Sequence, residues 1–185
     1  MHLAYGAKPF AQDQSVESDD EDDGPINRGY YEGWLRYTLS EKLIEVSIKT
    51  RVVMDMIVHE KKRWEADGEV YPVDPERLDQ EISEKHPIAS ASSGVRITVR
   101  ECCNKIIHAS EIAPIYEVAD EEHNGDEEAG LKRQWSYWTG GLDLTGTHQG
   151  AEWHYQIEVA EFCSALVELL SDLEDQVDWN AIDKD

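Results

Sequence analysis

A mainly α fold, a helical bundle with a small antiparallel β-hairpin insert, is what the sequence predicts, and three observations predict it. Apolar residues recur at helical spacing from Gly33 to Ala66 and again from Val159 onward. Helix-start signals stand at Asp74-Pro75 and at Thr98-Val99-Arg100-Glu101. Only one region, at about residues 115–158, shifts to the two-residue alternation of a strand.

Taken in order, residues 1–27 read as a disordered acidic arm ending in Asp23-Gly24-Pro25. Residues 28–180 form one domain, and 181–185 an acidic tail. The long helix places Leu35, Leu39, Leu43, Val46, Thr50, Val53 and Ile57 on one face, widened by Ile44, Ile48, Met54 and Val58. Asp67-Gly68 ends it. Asp74 then caps a short helix with Pro75 in its first position, closing before His86-Pro87, and 90–94 is a flexible joint. Thr98 and Glu101 form a capping box for a helix reaching Ala109. Ile115 to Val118 reads as a strand, followed by an acidic loop. Trp135 to Trp138 and Leu142 to Leu144 are short aromatic or apolar runs, and Trp153, Tyr155 and Ile157 alternate with polar neighbours. Thr147 to Gly150 supplies the hairpin turn. Val159, Phe162, Cys163, Leu166, Leu169, Leu170, Leu173 and Val177 make the closing helical stripe.

With 185 residues, 40% of them hydrophobic, and six tryptophans, the chain can bury one substantial core. Residues 1–14 lack a secretory pattern, and no run reaches the roughly 20 apolar residues of a membrane span. Cys102, Cys103 and Cys163 are an odd number without metal-site spacing, which implies a reducing, cytoplasmic setting and no cofactor or metal.

The net charge of −23 is concentrated. Residues 13–23, 117–128 and 168–185 each hold seven acids, and the rest of the chain holds 19 acids against 16 bases. Non-specific nucleic-acid binding, which depends on clustered Lys and Arg, is disfavoured. Acidic segments such as Asp19, Asp20, Glu21, Asp22 and Asp23 suit a basic partner, or solubility.

Arg100, Asn104 and His108 recur every four residues and so share one helix face, with Lys105 at its edge. Such a trio can cleave RNA without metal: His108 as acid/base, Arg100 stabilising charge on phosphorus, Asn104 positioning. The same residues can equally serve buried hydrogen bonds and an ion pair. His148, Glu152 and His154 across the hairpin are a loose metal pattern better read as solvated. His59 and Glu60, beside Lys61-Lys62-Arg63, read as an exposed helix end. Trp135, Trp138, Trp153, Tyr137 and Tyr155 read as hairpin packing rather than a base-stacking platform, with only Lys132 and Arg133 nearby.

The segment Val99-Arg100-Glu101-Cys102-Cys103-Asn104-Lys105-Ile106-Ile107-His108-Ala109 resembles the signature helix of HEPN-type proteins, helical bundles of toxin–antitoxin and phage-defence systems. Ile48-Lys49-Thr50-Arg51 and Gly146…Gly150-Ala151-Glu152-Trp153 also resemble small bacterial proteins carrying an Asn-Lys-Ile-Ile-His-Ala segment. The HEPN resemblance implies a metal-independent RNA endonuclease and a homodimer with the motif helices facing each other. Asn104 and His108 match the family register, but its Arg falls on Cys103, and Arg100 lies one turn earlier. That departure implies an inactive descendant as readily as an enzyme. The alternative function is a non-catalytic acidic interaction protein, such as an antitoxin, immunity factor or nucleic-acid mimic, binding a basic partner.

Overall fold

In the computed structural model, residues 28–91, 96–121 and 133–177 are described. The acidic arm with Asp19 to Asp23, most of the joint at 90–94, residues 122–132 of the acidic loop and the acidic tail lie outside them.

The first helix, α1, is Arg28–Ala66, beginning before the Gly33 that its periodicity marks. It ends at Gly68, whose φ of 78° is left-handed backbone that glycine adopts without a steric cost. Its buried line runs Leu35, Leu39, Leu43, Ser47, Thr50, Met54 and Ile57. Val46 and Val53, expected on that line, flank it half-buried. Ile48, expected to widen the apolar face, is instead 46% exposed, and Glu60, expected in solvent, is buried.

Helix α2, Pro75–Lys85, opens as read: Asp74 accepts from the Arg77 amide and Pro75 occupies the first turn. Strand β1, Ala89–Ala91, leads to helix α3, Val99–His108, where the Thr98 hydroxyl accepts from the Glu101 amide. Strands β2 (Glu111–Glu121), β3 (Arg133–His148) and β4 (Ala151–Glu158) follow, and helix α4, Val159–Gln176, closes the chain.

The expected bundle with a small hairpin is corrected here. The strands form one four-stranded antiparallel sheet in the order β1-β4-β3-β2, so the fold is α+β. β2 is longer than the Ile115–Val118 run. The segments at Trp135–Trp138 and Leu142–Leu144 belong to a single strand. That strand is interrupted where pairing jumps from Pro114↔Leu142 to Tyr116↔Trp138, which leaves Thr139, Gly140 and Gly141 as a bulge. The bulge is held by its own bonds: Thr139 Oγ1 donates to the Ile115 carbonyl and accepts from the Gly141 amide, and Trp138 Nε1 donates to the Gly141 carbonyl at 2.7 Å. Between β3 and β4, Gln149 and Gly150 both have positive φ, the signature of a two-residue type I′ turn.

Alternation gives the sheet two unlike faces. Leu142, Leu144 and Ile157 are fully buried on the face toward the helices. Asp143, Thr145, Glu152, His154 and Gln156 lie on the other. The core joins that inner face to Leu35 and Ile57 of α1, Ile82 of α2, Ile106 of α3 and Phe162, Leu169 and Leu173 of α4. No helix among the described residues is long and apolar enough to cross a membrane.

Candidate functional site

Helix α3 starts on a buried acceptor supplied by another helix. Asp79 of α2 accepts from the Val99 amide at 2.8 Å and from the Arg100 amide, and the Ser83 hydroxyl accepts from Val99 at 3.2 Å. These are the orphan amides of a helix N-terminus, so a carboxylate from outside completes what Thr98 begins. Burial pushes the Asp79 carboxyl above its usual range, although the Thr98 hydroxyl and the two amides pull the other way.

From that start α3 runs antiparallel to α1. Arg100 reaches Asp55, the Cys103 thiol lies against Ser47, and Glu111 just beyond α3 pairs with Arg36. Val99, Cys102, Cys103 and Ile106 form the buried face. Burial raises the Cys103 thiol to about 12, partly offset by the Ser47 hydroxyl and the Arg51 charge, and burial likewise raises Cys102 well above its usual range. Both thiols are therefore protonated at neutral pH and serve as small apolar groups.

The three residues singled out by spacing have different surroundings. Arg100 Nη2 donates to Asp55 Oδ1 at 2.6 Å, and Asp55 Oδ2 accepts from Arg51 Nη2 at 3.1 Å, so one carboxylate on α1 holds two guanidinium groups. Burial alone would raise the Asp55 carboxyl, but hydrogen bonds and charges from Arg100 and Arg51 outweigh it and hold it below the usual range. Asn104 is half-buried, and His108, the last residue of the helix, is exposed. Eight residues of rise separate Arg100 from His108, about 12 Å along the axis. The guanidinium is tied down at the far end of the helix from the imidazole.

Lys105, expected at the edge of that strip, faces the sheet. Its ammonium lies 4.8 Å from the Trp153 ring centre and 4.9 Å from that of Tyr155, a double cation–π contact docking α3 on β4. The aromatic side chains thus pack the sheet against the helices, with Trp138 buried in the same layer. His154, one of the loose metal pattern, lies 3.0 Å from Asp143. Among the described residues no three His, Cys, Asp or Glu side chains group to hold a metal ion.

Sequence reasoning missed Asp55 and Arg51, although their four-residue spacing on α1 was visible, and it missed Asp79. It also missed an absence: Gln134 to Asp183 contains no Lys or Arg. In consequence the open face of the sheet carries Glu117, Asp143, Glu152 and Glu158 with no cation from β4 or from the adjoining part of β3. Helix α4 adds Glu161, Glu168, Asp172, Glu174 and Asp175. Comparison with protein-family models, with curated proteins and with solved structures finds no match to this chain.

Proposed function

We propose that the chain is a non-catalytic interaction protein that captures a basic partner through its acidic surface. The observation that carries this reading is the stretch from Gln134 to Asp183, which contains no Lys or Arg and puts Asp143, Glu152 and Glu158 on the open sheet face and Asp172, Glu174 and Asp175 on α4, beside Glu161 and Glu168 that His86 and Lys85 hold. The Arg100 side chain, the group on which a nuclease would depend, is engaged by Asp55. Complementary potentials raise encounter rates and suppress wrong partners, and such binding weakens as salt screens it. The acidic residues Asp19 to Asp23 extend the same chemistry at the sequence level. Titration calorimetry with a lysine-rich peptide and an acidic peptide of equal length tests the reading. The basic peptide is expected to bind, more weakly as salt rises from about 50 to about 300 mM, and more weakly still without residues 1–24. Equal binding of both peptides, or affinity indifferent to salt and truncation, contradicts it.

A second reading is the metal-independent ribonuclease that the HEPN resemblance implies, working as a homodimer so that two motif helices complete one site. One observation favours it: His108 is exposed at the end of α3. Incubation with tRNA and mRNA in EDTA, beside His108→Ala, decides it: cleavage lost only in the variant supports the enzyme, and equal or absent cleavage removes it.

A further inference from the structure

Helix α1 buries one face, and the opposite one carries an exposed apolar stripe among charged side chains. Tyr37 is 69% exposed, Ile48 46%, Val52 53% and Met56 43%, so much of the exposed large hydrophobic surface among the described residues lies on this one stripe. Single exposed apolar side chains are ordinary, but a line of them along one helix is not.

The stripe also has a specific shape. Val52, Asp55, Met56 and His59, with Glu60, line a shallow groove of about 420 Å³. The first four stand at positions i, i+3, i+4 and i+7, the four corners of the hole into which a facing helix inserts one side chain. The geometry therefore asks for a helix.

Charge then selects which helix. The N-terminal half of the stripe carries Glu41 and Glu45, and the C-terminal half carries His59 and Arg63. A complementary occupant must present an apolar centre flanked by acid at one end and base at the other, in reverse order. Helix α1 of a second copy, turned around, has that arrangement. We propose that α1 pairs antiparallel with α1 of a second copy about a two-fold axis at Val52, an isologous contact.

In that register Ile48 enters the hole around the partner's Met56, Glu45 meets the partner's His59, and Glu41 meets the partner's Arg63. A parallel pairing would set Glu41 and Glu45 against themselves and is disfavoured. Glu45 already holds Lys42 and Lys49 in exposed pairs that exchange at little cost, while Arg63, its side chain 49% exposed, keeps its 3.8 Å approach to the buried Glu60 as it faces the partner's Glu41. From Glu41 to Arg63 the contact runs about 33 Å. Antiparallel pairing also sets the two helix N-termini, each preceded by the seven acids of residues 13–23, at opposite ends. This pairing is independent of the function proposed above.

Sedimentation equilibrium of the full chain tests it. The expected mass is twice 21.1 kDa, and Val52→Glu, at a site exposed in the protomer, is expected to return the monomer mass with an unchanged far-UV spectrum. Glu41→Arg is expected to weaken the dimer by roughly tenfold, and adding Arg63→Glu to restore it. A wild-type monomer at about 100 µM, or a Val52→Glu dimer as tight as wild type, overturns the proposal. A wild-type dimer in which the second charge change restores nothing overturns the antiparallel register.

Discussion

At Gly146 a single carbon decides the packing. Gly146 pairs with Trp153 across β3 and β4, and a Cβ on it would stand 2.2 Å from the indole. The indole cannot yield without leaving Lys105, so Gly146→Ala is expected to cost about 1–3 kcal/mol, read as a lower thermal midpoint. An unchanged midpoint would mean that the ring has another place to go. Asp79 is the second residue of this kind. Asp79, 3% exposed, serves the first amides of α3, and Asp79→Ala leaves the Arg100 amide without this acceptor and Val99 with only the Ser83 hydroxyl. The expected loss is about 2–4 kcal/mol in chemical denaturation, with Asp79→Asn, which retains one acceptor, milder. Equal losses in the two variants would assign the effect to packing rather than to the cap.

Between elements, one polar strap joins α2 to α4. His86 places Nδ1 3.3 Å from Glu161 and Nε2 2.9 Å from Glu168, and Lys85 pairs with Glu168 as well. The hydrogen bond to Glu168 chiefly, against some desolvation, raises the imidazole above its ordinary 6.5, and bonds from Lys85 and His86 lower Glu168 below 4.5. A histidine whose folded value is raised adds stability that is complete below 6.5 and is lost as pH climbs through the folded value. A carboxylate held low adds stability above 4.5 that is lost as pH falls through its folded value. The strap is therefore fullest between 4.5 and 6.5. Thermal midpoints of wild type are expected to fall from pH about 6 to about 8 more steeply than those of His86→Gln. Parallel curves would show that the strap carries no net stability. This strap was not legible in the sequence, since its partners are 75 and 82 residues apart. Elements set by local chemistry were legible: the Asp74-Pro75 start, the Thr98 cap, the hairpin turn and the stripe of α4. The strands were read short for physical reasons. The Gly140-Gly141 bulge broke the alternation of β3, Pro114 interrupted β2, and Ala89-Ser90-Ala91 has no strand-forming residue at all.

For the whole molecule, the question is what the seam between α1 and α3 is for. Spacing alone put Arg100, Asn104 and His108 on one face, correctly, yet it could not say that Arg100 would meet an aspartate 45 residues earlier. That partner changes the meaning of the strip. A guanidinium that spans α1 and α3 ties the two helices together, which supports the proposal that the partner is met on the carboxylate-rich surface. Enzymes commonly hold catalytic charges at some expense of stability, so the two roles leave opposite marks on folding. The most direct measurement is a double-mutant cycle on thermal stability with Arg100→Ala, Asp55→Ala and both together. Arg100→Ala is expected to destabilise the fold and the pair to be non-additive, with a coupling of about 0.5–1 kcal/mol. Additive effects, with Arg100→Ala at least as stable as wild type, would contradict it and mark the guanidinium as one held for a ligand.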